Sequence, residues 1–322
     1  MTRSKIRKPL FTLSSKAQVS HLLDVPPGVI GYVLSRIDRF YVRDERPKPG
    51  GGTRVLLKPR GRLIDIQARI KRAILDKVPP LPYVHGGISR RSIITNARPH
   101  VGAEVVLALD IKDCFPSIGP ERSLTVFNEL GITGEAARIL VMLTTFQFQL
   151  PQGTKNSPAL ANLALRSIDR RLGALAAQYG CSYTRFVDDI TISGGRRLLK
   201  FRRLVHRIVS SEGFALKNKK EPMLGSEPQV ITKLLVNHKV NVTKDRRTAI
   251  RKEAFTPSAN GQIEVPPSTM GKVRWLKSIN PEVGTRLLAR MAASSSKGAD
   301  VAVGNSPDIT VSDPQTSISD GK

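Results

Sequence analysis

Two adjacent carboxylates, Asp188 and Asp189, interrupt a run of strand-forming residues. The flanks, Tyr183 to Val187 and Ile190 to Ile192, are rich in aromatic and β-branched residues, which predicts a β-hairpin with the aspartates at its turn. Like charges side by side repel each other, and a divalent metal ion is a common way to balance them. The alternative is a solvated turn, because a chain of this composition yields roughly one Asp-Asp pair by chance.

A third carboxylate, Asp110, ends the apolar run Val105 to Leu109, which has the character of a buried strand. The core pattern would place another apolar residue there, and a buried acid is costly unless it is paired or bound to metal. The breaker Pro116-Ser117 follows closely, so Asp110 lies near a strand end, where active-site groups are commonly presented. A salt-bridged acid is the alternative interpretation.

Between these two elements, residues 150–162 form a polar loop that leads into a helix. We expect Ser157 to cap the helix and Pro158 to occupy its first turn. Apolar residues then recur at helical spacing until Gly180, which predicts a continuous helix packed on the core. The residues that this pattern leaves over are Gln152, Gly153 and Asn162. A glycine in such a loop lets the backbone approach a ligand closely.

In chain order, the strand ending at Asp110, the Gln152-Gly153 loop with its helix, and the hairpin Phe186-Val187-Asp188-Asp189 resemble the palm motifs of reverse transcriptases. Phe186 stands where that family usually has tyrosine, which keeps the ring and loses only the hydroxyl. The segment Gly213 to Lys220 resembles the next palm motif, a turn followed by a basic strand near the incoming triphosphate. Such an ordered set is specific, although each piece alone is weak.

Other segments resemble bacterial retron reverse transcriptases in particular. Thr53 to Pro59 is similar to their fingers, and Asn96 to His100 is similar to the segment ahead of their first catalytic strand. Residues 230–237 match a retron motif in part, with Lys233 in place of the expected glycine. A group II intron-like enzyme, which shares the palm, is the alternative within the family.

The resemblance implies an α+β right-hand polymerase fold with fingers, a palm made of an antiparallel sheet plus helices, and a helical thumb. Within the thumb, Thr243 to Phe255 and Met270 to Arg290 are predicted as helices. The Ser, Gly, Asp and Pro content of the last residues predicts disorder. The expected domains are an N-terminal helical cap and linker at 1–50, fingers at 51–104, a palm at 105–237 with fingers elements around 119–150, an RNA-binding thumb at 238–293 and a disordered tail at 294–322.

The activity that the resemblance implies is RNA-directed DNA synthesis from dNTPs with two Mg²⁺ ions. The implied catalytic residues are Asp110, Asp188 and Asp189, and the implied metal-binding residues are Asp110, Ile111, Asp188 and Asp189. The candidate dNTP-binding residues are Phe115, Gln152, Gly153, Arg54, Lys58, Arg62 and Lys219. The candidate nucleic-acid-binding residues are Asn96, His100, Lys244, Arg246, Arg247, Arg251 and Lys252.

Two of these assignments have plain alternatives. Phe115 lies where the family places an aromatic ring under the sugar to exclude a 2′-hydroxyl, but a ring at this position can equally be core packing. The fingers cations Arg54, Lys58 and Arg62 can equally form a solvated face, which is the usual role of a charge run.

Charge supports a polyanionic partner. The chain has 52 Lys and Arg against 26 Asp and Glu, a net charge of +26, which favours nucleic acid over the alternative of an anionic membrane surface. We expect a cytoplasmic protein without a membrane partner, because no apolar run reaches spanning length and residues 1–5 lack a secretory signal. Cys114 and Cys181 are too few for a disulfide framework.

As a retron enzyme, the protein would bind a cognate non-coding structured RNA and its DNA product, and would make branched, RNA-linked single-stranded DNA in antiphage defence. An effector protein encoded nearby is a further partner in that setting. The alternative from another class is a non-catalytic RNA-binding palm in a defence complex, but the three aspartates and Gln152-Gly153 favour an active enzyme. A viral-type RNA polymerase is disfavoured, because such enzymes typically have Gly-Asp-Asp where this chain has Val187-Asp188-Asp189.

Overall fold

The structure, a computed structural model, describes residues 9–47, 51–217, 222–256 and 266–302, with side chains described to residue 293. The chain divides into two compact units, Met1–Val240 and Asn241–Lys322. Residues 1–8, 48–50, 218–221, 257–265 and 303–322 lie outside the description. Within the described residues, no helix has the length and apolar character needed to span a membrane.

Two short helices, α1 (Lys16–Leu23) and α2 (Pro27–Leu34), begin the described part of the first unit. The start of α1 is set by a capping box, in which Ser15 and Gln18 exchange side-chain to backbone hydrogen bonds. Helix α2 starts at Pro27, whose fixed φ suits a first helical turn. Both helices bury apolar side chains in the main core, as Val19, Leu23 and Ile30 show.

A two-stranded antiparallel hairpin follows, with β1 (Tyr41–Pro47) paired to β2 (Thr53–Pro59) and Tyr41 opposite Pro59. Half of the hairpin residues are exposed, and Tyr41 and Leu57 are the two that are buried in the core. Helix α3 (Arg62–Ala73) then returns along the core with Leu63, Ile66 and Ile70 buried.

The central sheet has four strands in the order β4-β5-β3-β6, and all of its pairs are antiparallel. Its strands are β3 (Val105–Asp110), β4 (Ser182–Phe186), β5 (Asp189–Gly194) and β6 (Met223–Leu224). Strand β3 is central, and its apolar run is buried as the sequence predicted. A short hairpin of β7 (Val230–Ile231) and β8 (Leu234–Leu235) follows the sheet.

Six helices surround this sheet or connect its strands. They are α4 (Ile93–Ala97), α5 (Pro120–Glu129), α6 (Gly134–Thr144), α7 (Ser157–Ala164), α8 (Arg166–Gln178) and α9 (Leu198–Ser211). Helix α8 packs against β4 and against α9. The combination of one main antiparallel sheet with separate helices confirms the predicted α+β class.

The prediction that Ser157 caps the helix was wrong. Asn156 is the N-cap residue, and the Ser157 hydroxyl instead donates to the Pro151 carbonyl at 2.6 Å, so it stabilises the preceding loop. Pro158 does lie in the first turn. The continuous helix to Gly180 was also wrong, because Leu165 leaves helical geometry with ψ near 1° and separates α7 from α8.

The second unit contains β9 (Asn241–Val242) and the helices α10 (Lys244–Ala254), α11 (Pro267–Ile279) and α12 (Pro281–Ala302). The single helix predicted from Met270 to Arg290 is two helices, since Asn280 precedes a proline and leaves helical geometry. Helix α12 includes residues 294–302 of the predicted tail, and residues 303–322 lie outside the described part.

Candidate active site

The predicted hairpin with two aspartates at its turn is confirmed. Strands β4 and β5 pair from Ser182 opposite Ser193 to Phe186 opposite Asp189, which leaves Val187 and Asp188 to make the turn. Val187 has a φ of 60°, a conformation that β-branched residues rarely adopt. Such an outlier persists only where the surroundings enforce it, so the turn is held by contacts outside itself.

All three aspartates meet at one end of the sheet. Asp110, the last residue of β3, lies directly opposite Asp189 in the register, which puts their side chains on the same face. The Ile111 backbone N–H donates to the Asp188 carbonyl at 2.9 Å. The Asp110 carbonyl in turn accepts from the Lys217 backbone at 2.8 Å.

A buried ion pair next to the turn stabilises it. Arg185 and Asp169 have no exposed side-chain surface, and their side chains meet at 2.7 and 2.8 Å. Burial alone would lower the pKa of Arg185, but the charge and hydrogen bonds of Asp169 outweigh it and raise that pKa. Tyr183 also donates to Asp169 at 2.7 Å, so this carboxylate is fully engaged.

From this ion pair, contacts extend directly to the turn. One Arg185 nitrogen donates to the Val187 carbonyl at 2.5 Å and to the Asn162 amide oxygen at 3.0 Å. The Asn162 side-chain amide in turn donates a hydrogen bond to the Gly86 carbonyl at 2.9 Å. A Cβ at Gly86 would lie 2.2 Å from the Val187 backbone nitrogen, so only glycine fits against the turn.

Of the three aspartates, Asp188 borders a cleft of about 740 Å³ within the first unit. Its lining includes Asp188 and residues from both the sheet region and the β1–β2 hairpin, among them Arg43, Arg54, Asp113, Cys114, Phe115, Gln152 and Lys217. Burial, and then the charge of Asp188, raise the pKa of the Cys114 thiol to about 12, so it stays protonated. The lining therefore combines the acids Asp113 and Asp188 with the cations Arg43, Arg54 and Lys217.

Carboxylate oxygens at this position suit a hard divalent cation. In the described residues, the aspartates do not form a ready-made cluster of three or more metal-ligating side chains. That arrangement still fits Mg²⁺, which takes one or two carboxylates and completes its shell with water and substrate phosphates instead of an all-protein cage.

The structure places some of the predicted dNTP-binding residues at the cleft and others away from it. Arg54, Phe115 and Gln152 line the cleft with Asp188. Lys58 instead pairs with Asp44 at 2.5 Å, within its own hairpin.

Two further members of that set have neighbours away from the carboxylates. Arg62 lies 5.8 Å from the centre of the Tyr32 ring, so the structure does not bring it to the cleft. Gly153, with a φ of 113°, is exposed, and a Cβ added there would lie 3.4 Å from the Leu57 carbonyl oxygen, so its approach to a ligand stays a prediction. Lys219 lies outside the described residues.

Asn96 and His100 are fully buried, which corrects their assignment to nucleic acid, because neither side chain has a surface to offer. His100 bridges the two strands of the aspartate hairpin through 2.7 Å contacts to Thr184 and Ser193. Burial, and then the charge of His85, lower the pKa of His100 to about 4. The His100 side chain therefore supports the sheet from inside, and the Asn96 backbone carbonyl accepts from the Thr184 hydroxyl at 3.4 Å.

The candidate cations of the second unit lie on α10 and include Lys244, Arg246, Arg247, Arg251 and Lys252. Arg246 stacks over the Trp275 ring at 4.7 Å. Arg247 and Arg251 line a pocket with residues of α11 and α12.

The residues that hold the turn, chiefly Arg185, Asp169 and Gly86, were not predicted from the sequence. Asp169 follows Ile168 on the buried face of α8, and Arg185 lies inside an otherwise uncharged strand. Charges in apolar patterns are costly unless paired, so two opposite ones in neighbouring elements are a signal that the sequence does contain.

Comparison with known proteins gives a family. The model of the family described as reverse transcriptase (RNA-dependent DNA polymerase) matches residues 46–233. Relatives include the Retron Mx65 reverse transcriptase of Myxococcus xanthus, 35% identical over 274 residues that cover 78% of this chain and 64% of the relative. The Retron Se72 reverse transcriptase of Salmonella heidelberg (strain 579083-10) is 30% identical, with 80% and 72% covered.

The Retron Ec86 reverse transcriptase of Escherichia coli is 33% identical, with 64% of this chain and 66% of the relative covered. The chain thus spans slightly less than two thirds of the length of the Mx65 and Ec86 proteins. Similar solved structures include a foamy viral protease-reverse transcriptase with double-stranded DNA, at a TM-score of 0.41 and 16% identity, covering 92% of this chain and 51% of that one.

Proposed function

The chain belongs to the retron members of the reverse transcriptase family, which have the right-hand polymerase fold, and from that premise we propose that it is an RNA-directed DNA polymerase working on a cognate structured RNA. One observation carries the proposal: Asp110 lies opposite Asp189, with Asp188 in the adjoining turn. Asp188 lines a cleft large enough for a nucleotide.

Asp110, Asp188, Asp189 and the backbone at Ile111 would hold two Mg²⁺ ions, which when bound activate the attacking hydroxyl and neutralise the triphosphate. The chain's own part is to keep the carboxylates in fixed positions. Arg185 does this by donating a hydrogen bond to the Val187 carbonyl. Gly86 does it because its backbone, without a side chain, packs directly against the backbone of the turn. Groups held in place in this way need no rearrangement when the reaction occurs.

The other walls of the cleft suit the remaining parts of a dNTP. Arg54 supplies positive charge for the triphosphate from the hairpin side. The half-buried Phe115 ring offers a surface under the sugar, where its bulk would exclude a 2′-hydroxyl. Gln152 lines the same cleft, and its backbone carbonyl accepts from the Leu57 N–H at 2.6 Å.

In a retron setting, the protein would start DNA on an internal 2′-hydroxyl of its folded RNA and produce branched, RNA-linked single-stranded DNA in the cytoplasm, as part of antiphage defence. The physical basis is that such a site activates whichever hydroxyl is positioned beside it, so the bound RNA selects the start. The high positive charge of the chain supports binding of this RNA.

The test is to purify the protein from its native host and sequence the nucleic acid it carries. We expect RNA joined to short single-stranded DNA, with a junction that resists ordinary ribonucleases and is cleaved by a 2′–5′ debranching enzyme. The Asp188→Asn protein, purified in parallel, should carry the RNA without DNA. Linear DNA extended from 3′ ends would favour a group II intron-like enzyme, and RNA without DNA on the unaltered protein would favour a non-catalytic scaffold.

A further inference from the structure

The second unit contains a concave pocket of about 370 Å³. Four arginines surround it, Arg247 and Arg251 from α10 and Arg286 and Arg290 from α12. Its base is apolar and includes Leu276 and Leu287, which are 0% and 6% exposed. The pocket thus combines a ring of guanidinium groups with a packed apolar floor.

Half of this positive charge has no carboxylate counterpart that the structure describes, and the Arg290 guanidinium lies 5.6 Å from the centre of the Phe255 ring. In the described part of the chain, no carboxylate lies within salt-bridge distance of Arg247 or Arg251. Arg286 pairs with Glu282 at 2.9 Å, but both side chains are largely exposed, so water and salt weaken that pair. Glu253, the acid on α10 nearest to Arg251 in sequence, is bound by Lys272 and Thr269 instead. An anion entering the pocket would therefore meet uncompensated charge.

The helices that carry the pocket are held closely together. A Cβ at Gly284 of α12 would lie 2.3 Å from the Lys277 Cα of α11, so glycine is what allows this approach. Leu276 and Leu287 are buried beside the contact. The arginines thus project from a packed base and not from a mobile surface segment, which favours a defined ligand over general charge attraction.

We propose that this pocket binds one unstacked nucleotide of an RNA, with its phosphates on the arginines and its base against the apolar floor. This inference rests on the proposed function. Guanidinium forks match phosphate oxygens in bidentate geometry, which an ammonium group cannot do. A pocket of this volume fits a single nucleotide, and a base held inside a duplex cannot reach the floor.

The floor also predicts how selective the pocket is. Leu276, Val283 and Leu287 offer no side-chain hydrogen-bond donors or acceptors, so they accept the face of any base without distinguishing its edge. Thr248 brings the one hydroxyl group to the lining, so the pocket would recognise chiefly an RNA shape, namely an unpaired nucleotide beside a stem.

The experiment compares two RNA hairpins of equal length, one with a two-nucleotide bulge and one fully paired, by fluorescence anisotropy with the full chain and without dNTPs. We expect the unaltered protein to bind the bulged hairpin about tenfold more tightly. The Arg286→Ala/Arg290→Ala protein should lose that preference and reduce the slope of log affinity against log salt by about two. The matched control is Arg274→Ala/Lys277→Ala, which removes the same charge from exposed positions of α11 outside the pocket and should keep the preference.

Equal losses in the two double variants, or no preference in the unaltered protein, would overturn the proposal. So would pocket-dependent binding to phosphatidylglycerol vesicles with the hairpin preference intact, which would indicate a lipid phosphate as the ligand. Arg286→Lys/Arg290→Lys keeps the charge and removes the fork, so it should restore the salt slope without restoring the full preference. Because no nucleotide is incorporated in this assay, its result is independent of whether the protein proves to be a polymerase.

Discussion

Arg185 in the first unit has no exposed surface and pairs with Asp169, whereas Arg247 and Arg251 in the second unit border an open pocket and pair with no carboxylate that the structure describes. The same side chain therefore serves opposite purposes. In the first unit its charge is used internally, to fix the turn that contains Asp188 and leads into Asp189 at the start of β5. In the second unit its charge remains available to a partner.

This difference predicts that substitutions in the two units have different effects, on stability in the first and on polyanion binding in the second. Removing one member of a buried pair leaves the other charge stranded, so it should cost stability whatever the solution conditions. Removing an exposed arginine should leave the fold almost unchanged and should reduce polyanion binding in a salt-dependent way. The predictions below test that division, starting with the largest effect.

Asp188→Asn should abolish DNA synthesis. Losing several kcal/mol of transition-state stabilisation corresponds to a fall on the order of 10³-fold in rate. Asp188 is half-buried at a turn, so the near-isosteric amide should leave the melting temperature unchanged. Template-directed incorporation in Mg²⁺, measured beside thermal unfolding, checks both. Turnover near that of the unaltered protein would remove Asp188 from the active site.

Arg185→Met and Asp169→Leu should each lower the free energy of unfolding by about 3–5 kcal/mol, because each strands a buried charge. The double variant should recover much of that loss, since no charge remains unpaired. It should still synthesise DNA poorly, because the bonds from Arg185 to Val187 and Asn162 are gone. Urea unfolding of the three proteins measures the cycle, and strictly additive losses would contradict the pairing.

Gly86→Ala should reduce DNA synthesis by about tenfold or more, because the added methyl group collides with the backbone of the turn and moves Asp188. The cost in stability should be about 1–3 kcal/mol, as for other overpacked sites. Gly271→Ala in α11 is the matched control, since nothing lies within 4 Å of the added methyl group. If the two substitutions affect synthesis equally, Gly86 has no special place behind the turn.

Local patterns predicted much of this fold correctly. The aspartate hairpin, the buried strand ending at Asp110 and the helical character of the second unit follow from periodicity and turn chemistry, which act over a few residues. The errors occurred where a single residue redirects the chain, as at Leu165 and at Asn280 before Pro281.

The support of the candidate site could not be derived in the same way. Arg185 and Asp169 are 16 residues apart, and Gly86 is about a hundred residues from the turn that it contacts. Such contacts depend on the tertiary arrangement and leave no local periodicity. The assignment of Asn96 and His100 to nucleic acid came from their resemblance to a retron segment, which does not show that both side chains are buried.

Stability should fall as the pH drops from about 6.5 to about 4, because His100 is neutral when folded, with a pKa lowered to about 4, and gains a proton more readily when unfolded. Below its unfolded pKa the unfolded chain binds more protons, so the loss from this group should reach about 2 kcal/mol by pH 5. Urea unfolding at pH 7.5 and pH 5 measures it. His100→Gln should show a smaller difference between the two pH values, and an unchanged difference would mean that other groups control the dependence.

Arg246→Ala should have the smallest effect on folding and provides the direct counterpart of Arg185. Arg246 is exposed and stacks 4.7 Å above the Trp275 ring, a contact worth about 0.5–1 kcal/mol at such a site. The free energy of unfolding should fall by no more than that, because the truncation leaves no buried charge behind. If Arg246 also contacts a phosphate, the salt slope of RNA binding should fall by about one, measured by anisotropy at several salt concentrations. A stability loss of several kcal/mol would mean that arginines in the second unit also hold the fold together, and the contrast with Arg185 would fail.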